Sequence, residues 1–172
     1  MPGLTKSIRR ASEYKLGGVT TLLAWNTKTL GGIPQASVDP ATKAFTLAPG
    51  ADVFRMEFEE NTCMYSDNTV LNTNRYPKHM LGLKLAGRTQ DLNDVAKVFD
   101  LGRTSFALKT FTNEYVVIGL QNGLTSEKND SGAGATTEDF NGFDMVLSGG
   151  ETQKATIITE AEFLALAGRV TA

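Results

Sequence analysis

Cysteine, histidine and tryptophan each occur once in the 172 residues, and proline only five times. A single cysteine, Cys63, leaves nothing for an internal disulfide. The fold is therefore expected to hold without covalent staples and to suit a reducing compartment, with Cys63 a small buried residue. A single histidine, His79, with no second histidine or cysteine to share a metal, makes neither a zinc site nor a nucleophilic triad, and it reads as structural or surface. No apolar run approaches membrane-spanning length, and the basic opening from Met1 to Arg10 has no apolar stretch behind it. Neither a membrane anchor nor a secretory leader is expected, and the product is expected to stay in the cytoplasm where it is made. Strong charge of one sign is missing too: 17 Lys and Arg against 19 Asp and Glu give a net charge of -2, which predicts no general attraction to nucleic acid or anionic lipid. Gly132-Ala133-Gly134-Ala135 comes nearest to a phosphate-binding loop, but no Lys-Ser or Lys-Thr follows and no helix pattern opens behind it.

What is present is strand pattern. A chain of this length is expected to form one domain that buries roughly two-thirds of the surface its unfolded form exposes. The densest signal runs from Tyr76 to Gly123. Leu81, Leu83 and Leu85 alternate with Gly82 and Lys84, the period of a half-buried strand. From Gln90 to Leu101 the period changes: Leu92, Val95, Ala96 and Phe99 make one apolar helical stripe, with Asp91 as N-cap and Gly102 suited to a left-handed C-terminal position. Thr104 to Thr110 and Glu114 to Leu120 then form a hairpin around Phe111-Thr112-Asn113, and Asn122-Gly123 supplies a turn.

Elsewhere the elements are shorter. Val19 to Trp25 suits a strand, with Trp25 anchoring a core or a subunit contact. Asn26 to Gly50 is broken by Gly31-Gly32, Pro34, Pro40 and Pro49 into short extended pieces around Ile33 and Phe45 to Leu47. Phe54, Met56 and Phe58 are expected on one dry face of a strand, with Arg55, Glu57 and Glu59 on its charged face. Asn61 to Leu71 reads as a further strand and Asn72 to Asn74 as a turn. Thr125 to Asp139 has no apolar residue larger than alanine and reads as a flexible loop, after which Phe143, Met145 and Leu147 resume alternation. Thr159 and Glu162 form a capping-box pattern ahead of a small helix. The organisation expected is an N-terminal arm over residues 1–15, a β domain over 16–151 with its helix at about 91–101, and a C-terminal extension with a short helix over 152–172.

Chemistry is sparse in this pattern. Glu57 with Glu59, and Asp139 near Asp144, are the pairs a hydrolase could use, but residues two apart on any strand share a face and exposed acids are the rule there. Basic and aromatic residues do not interleave as single-strand nucleic-acid sheets require. The chain is expected to be no enzyme and to need no cofactor or metal. A monomeric β-sandwich that binds carbohydrate or protein is an alternative reading, for which a concave face with exposed aromatics is the requirement.

The order of the pieces resembles the tail tube proteins of long-tailed bacteriophages, in particular the small tube-type proteins of phages infecting Bacteroidetes-like hosts. The residues that carry the resemblance are Gly17-Gly18-Val19 leading into the first strand, the strand, helix and hairpin from Phe54 to Leu120, Gly119-Leu120-Gln121-Asn122-Gly123-Leu124, and Asn141-Gly142-Phe143 leading a strand to Glu151. They span about residues 16 to 151. The broken stretch from Asn26 to Gly50 and the tail from Thr152 to Ala172 depart from that pattern, which leaves a head-to-tail connector, a tail terminator or a bacterial secretion tube as related alternatives. The resemblance implies an antiparallel β-sandwich or barrel that forms hexameric rings, stacked into a virion tail tube through which DNA passes without specific binding, alongside other tail and connector proteins. It assigns Arg55, Glu57 and Glu59 to the lumen, where acids repel phosphate. Lys6, Arg9 and Arg10 of the arm are assigned to contacts between subunits, together with Ser126, Asp130 and Glu138 of the loop.

Overall fold

The computed structural model describes residues 18–71, 75–132 and 140–171. Along the chain these form β1 (Val19–Asn26), β2 (Ala36–Val38), β3 (Phe45–Leu47), β4 (Phe54–Met56), β5 (Met64–Leu71), β6 (Arg75–Ala86), α1 (Gln90–Leu101), β7 (Thr104–Thr110), β8 (Tyr115–Ile118), β9 (Thr125–Gly132), β10 (Gly142–Gly150), β11 (Thr156–Ile158) and α2 (Glu160–Ala167). The chain is mainly β. Its named strands pair antiparallel in a five-stranded sheet ordered β11-β8-β7-β1-β4, a four-stranded sheet ordered β5-β6-β10-β9, and the hairpin β2-β3.

Side-chain alternation explains the layering. Leu81, Leu83 and Leu85 of β6 and Phe143, Met145 and Leu147 of β10 are buried, while Gly82, Lys84, Asp144 and Val146 between them are only half-buried, so the four-stranded sheet has one dry and one wet face. Its dry face packs on Leu22, Ala24, Phe106, Leu108, Val116 and Ile118 of the five-stranded sheet, with Ala96 and Phe99 of α1 in the same core. The residues between those, Leu23, Trp25, Ala107 and Val117, belong to a second core with Phe45 and Leu47 of the hairpin and Phe163 and Leu166 of α2. The five-stranded sheet is thus the middle layer of three. That is why β1 carries the apolar run Leu22 to Trp25 and β7 the run Phe106 to Leu108, with successive residues buried on both faces rather than in alternation. Trp25 is 1% exposed and meets Phe45 edge-on, with ring centroids 5.9 Å apart.

Several expectations change in detail. The α1 N-cap is Thr89, not Asp91: its hydroxyl accepts from Leu92 N at 3.2 Å. Gly102 is extended (φ −99°) rather than left-handed, and glycine suits it because an added Cβ would stand 2.8 Å from Val98 O. The flexible loop expected from Thr125 is instead strand β9 as far as Gly132, and residues 133–139 lie outside the described part. Polar bonds hold β9 where apolar ones are missing. Thr125 Oγ1 donates to Phe99 O (3.2 Å), a last-turn carbonyl of α1 without a helical partner, and Asn129 Nδ2 donates to Ala96 O (3.2 Å) and Asp100 Oδ1 (3.0 Å).

Residues 152–171, expected as an extension, are built into the sheet and its second core through β11 and α2. The capping box of α2 is present, Thr159 with Glu162. Beyond it the Arg169 guanidinium donates to the carbonyls of Leu47 (3.3 Å), Ala48 (2.6 Å), Pro49 (2.9 Å) and Ala51 (2.9 Å).

Candidate functional site

Arg55, Glu57 and Glu59 are all exposed, as expected, but they do not share one strand face. β4 ends at Met56, and by Glu59 the chain has crossed to the other sheet, where Glu59 N donates to Lys84 O at 2.9 Å. Nor is the opposite side a dry face: Met56 and Phe58 are half-buried against the first core, whereas Phe54 is 44% exposed. The crossing leaves an open cleft of about 410 Å³ beside the first residues of β1, with Val19, Met56, Phe58 and Phe111 for apolar walls and Glu57 and Glu60 on its lining. Of the proposed loop contacts, Ser126 is half-buried on β9 opposite Leu147, and Asp130 is exposed on β9 with Lys128 Nζ 3.4 Å away. β4 and β9 belong to different sheets, so the structure does not gather these residues into one site. Lys6, Arg9, Arg10 and Glu138 lie outside the described residues.

The five-stranded sheet has two edges. Among the described residues, β11 at one edge pairs only with β8 and carries Ile157, 77% exposed, beside a cleft of about 810 Å³ that Lys28, Lys43 and Lys154 help to line. At the other, again among the described residues, β4 pairs only with β1. The residue before β4 is covered by the C-terminal segment: Val170 bridges Val53, and Thr171 N donates to Val53 O at 2.9 Å.

Around the turn after β8 lies a buried polar cluster that sequence reasoning missed. Glu151, 4% exposed, accepts three backbone N–H groups from one turn: Gln121 (3.2 Å) on Oε2, and Asn122 (2.9 Å) and Gly123 (3.1 Å) on Oε1. Ser105 Oγ donates to Gly119 O (2.6 Å) and lies 2.9 Å from Thr27 Oγ1. Gly123 is left-handed (φ 72°) and packs against Thr27 so closely that no side chain fits, which is the physical reason for Asn122-Gly123 at this turn.

His79, 2% exposed, accepts from Gly119 N on Nδ1 at 3.1 Å, so the neutral ring carries its proton on Nε2, which faces Asp67 Oδ1 at 3.8 Å. Asp67 Oδ2 in turn accepts from Ala155 N at 2.9 Å. Burial pushes the His79 pKa below its ordinary value, opposed by the charges of Asp67 and Glu151 and by the Gln153 backbone, with Lys154 acting alongside burial. With Nδ1 occupied and the ring sealed from solvent, this histidine fixes a loop. Burial likewise pushes the Cys63 thiol up to about 12, a packed residue and not a nucleophile.

Of the residues around Glu151, the sequence marked only Asn122-Gly123, as a turn. The cluster's members come from β5, β6, β7, the residue after β1 (Thr27) and the turns after β8 and β10, and no local pattern joins them. What fold and cluster together define is a class, an antiparallel β-sandwich with a third layer packed on one of its sheets. No protein-family model matches the chain, and neither a curated protein nor a solved structure matches it.

Proposed function

We propose that this protein is structural and acts by joining copies of itself edge to edge. The observation that carries this reading is the middle sheet. Both its faces are covered, so it meets a neighbour at its edges, and among the described residues both edges are strands paired on one side and bearing an exposed apolar side chain, Ile157 on β11 and Phe54 on β4. Open strand edges are templates for another chain. Two different edges that pair head to tail generate a ring when the rotation closes.

With the resemblance in sequence order, the reading becomes a tail tube protein of a long-tailed phage: rings stacked into a virion tube, joined to other tail and connector proteins, with DNA passing through. In such a ring Arg55, Glu57 and Glu59 stand at the joint between neighbours. The lumen wall is then the wet face of the four-stranded sheet. There Lys128 Nζ bonds Asp144 Oδ2 (2.6 Å) and Lys78 Nζ bonds Glu127 Oε2 (3.0 Å). Lysines engaged with carboxylates leave little net attraction for phosphate, so DNA slides past them.

Light scattering after size exclusion, with negative-stain microscopy, tests the proposal. Rings or filaments are expected from the unaltered chain, and folded single particles from Ile157→Lys or Phe54→Lys. Single particles from the unaltered chain at every concentration would refute it.

A further inference from the structure

Leu30 is wholly exposed (111%) and Ile33 is 66% exposed, yet the turn that carries them is firmly made. Thr29 N donates to Ile33 O (2.9 Å), Gly32 N to Thr29 O (2.8 Å) and Ile33 N to Thr29 Oγ1 (3.2 Å), while Lys28 bridges Pro34 at the base. Gly32 is left-handed (φ 77°) with nothing near an added Cβ, so its glycine serves the shape of the turn and not its packing. A rigid turn that holds two apolar side chains in water gains nothing for its own fold.

From this we infer that the turn is a knob that enters the Val19–Phe58–Phe111 cleft of a second copy, making the contact that stacks one ring on the next. The inference rests on the self-assembly reading above and adds a second direction to it. Position supports it first. The cleft borders the first three residues of β1 and the knob follows the last, so they stand at opposite ends of an eight-residue strand, roughly 25 Å apart at the rise of an extended chain. A contact between opposite ends of a strand propagates along the strand, whereas pairing of β11 with β4 propagates across it. Arg55 and Glu57 border both contacts: edge pairing uses the free backbone of β4 and docking uses the side chains on the cleft, and each contact is head to tail.

Charge supports it second. Lys28, exposed at the base of the knob, is the cation nearest Leu30 in the chain, and the cleft is lined by Glu57 and Glu60 with Arg55 as the single opposing charge. Docking brings Lys28 to a cleft whose lining charge is negative in sum. Chemistry supports it third, because Val19, Met56, Phe58 and the half-exposed ring of Phe111 give the cleft the apolar floor that a leucine needs.

Two variants test it in the full chain. Leu30→Asp with Ile33→Asp should leave rings of unchanged diameter in negative stain and reduce tube length at least tenfold. Leu30→Cys with Thr20→Cys, mildly oxidised, should give a ladder of covalent oligomers, since the native Cys63 is buried and either single variant can reach no further than a dimer. Tubes of ordinary length from the aspartate variant, or no ladder from assembled double-cysteine protein, overturn the knob and leave edge pairing standing. That second result is also what occupation of the cleft by residues 1–17 of the same chain would give. Lone particles from the unaltered chain overturn both readings.

Discussion

Removing the Glu151 carboxylate should open the turn from Gly119 to Leu124 and cost a large part of the folding free energy. The carboxylate receives three N–H groups at 2.9–3.2 Å, and a hydrogen bond to a charged group is worth about 1.5–3 kcal/mol. The three are not equal. Gln121 and Asn122 are exposed and can turn to water, whereas Gly123 is buried and cannot. The expected cost of Glu151→Ala is therefore about 3 kcal/mol, one buried donor lost outright and two partly recovered, against the 5–15 kcal/mol typical of a whole domain.

Glu151→Gln grades the argument. Its single oxygen can keep the Asn122 and Gly123 bonds that Oε1 makes, while its amide meets the Gln121 N–H donor to donor, so about half the cost remains. Urea midpoints at constant denaturant slope measure both variants, and hydrogen exchange at residues 121–123 shows whether the opening is local. If alanine costs under about 1 kcal/mol with exchange unchanged, or if glutamine is as damaging as alanine, the carboxylate is not what holds the turn.

Two further outcomes follow from the same contacts. His79 titrates in the folded chain below its ordinary 6.5, so the unfolded chain binds more protons at mildly acid pH. Its stabilising contribution is full above 6.5 and is lost as pH falls through the lower folded value. The loss has a geometric cause, since a protonated Nδ1 would point a hydrogen at the Gly119 N–H. The lowered carboxyls of Glu127 and Glu162 start from 4.5, leaving the window between 6.5 and 4.5 for the histidine. Urea midpoints should decline there in the native protein and stay level in His79→Gln, and equal declines would remove His79 as the cause. Arg169→Ala strips partners from four carbonyls and should cost about 2–3 kcal/mol, with faster exchange in α2 than in β6; a loss spread evenly over the chain would show that Arg169 does not act as a local clamp.

The strands that pack apolar side chains were legible in the sequence: β6 and β10 through their alternation, because burial on one face writes a period into the chain, and β7 to the residue, bounded by the turns on either side of it. β9 was not, since its hold on α1 runs through Thr125 and Asn129, and polar anchors leave no period. The strand at Phe54 was overread for the opposite reason. Phe54, Met56 and Phe58 alternate correctly, but the chain leaves the sheet after Met56, and pattern alone does not say where backbone pairing stops. At the polar cluster the structural role of His79 was readable from its isolation, while Glu151, Ser105 and Thr27 were invisible because each is joined to its partners only by the fold. The exposed turn at Leu30 lay in a stretch expected as short extended pieces around Ile33, where glycines marked breaks without revealing which side chains the turn displays.

The clamp that Arg169 makes on Leu47 to Ala51 joins points about 120 positions apart. Trp25 and Phe45 emerge early in synthesis, and Phe163 and Leu166, which share their core, emerge late. At 5–20 residues per second, the newborn chain spends several seconds or more with those early aromatics uncovered. Closure over such a span is also slow to find. An unfinished chain of this kind shows its neighbours on a crowded ribosome the same sticky surface that the completed one hides, which makes the rate of translation through the last elements a determinant of soluble yield.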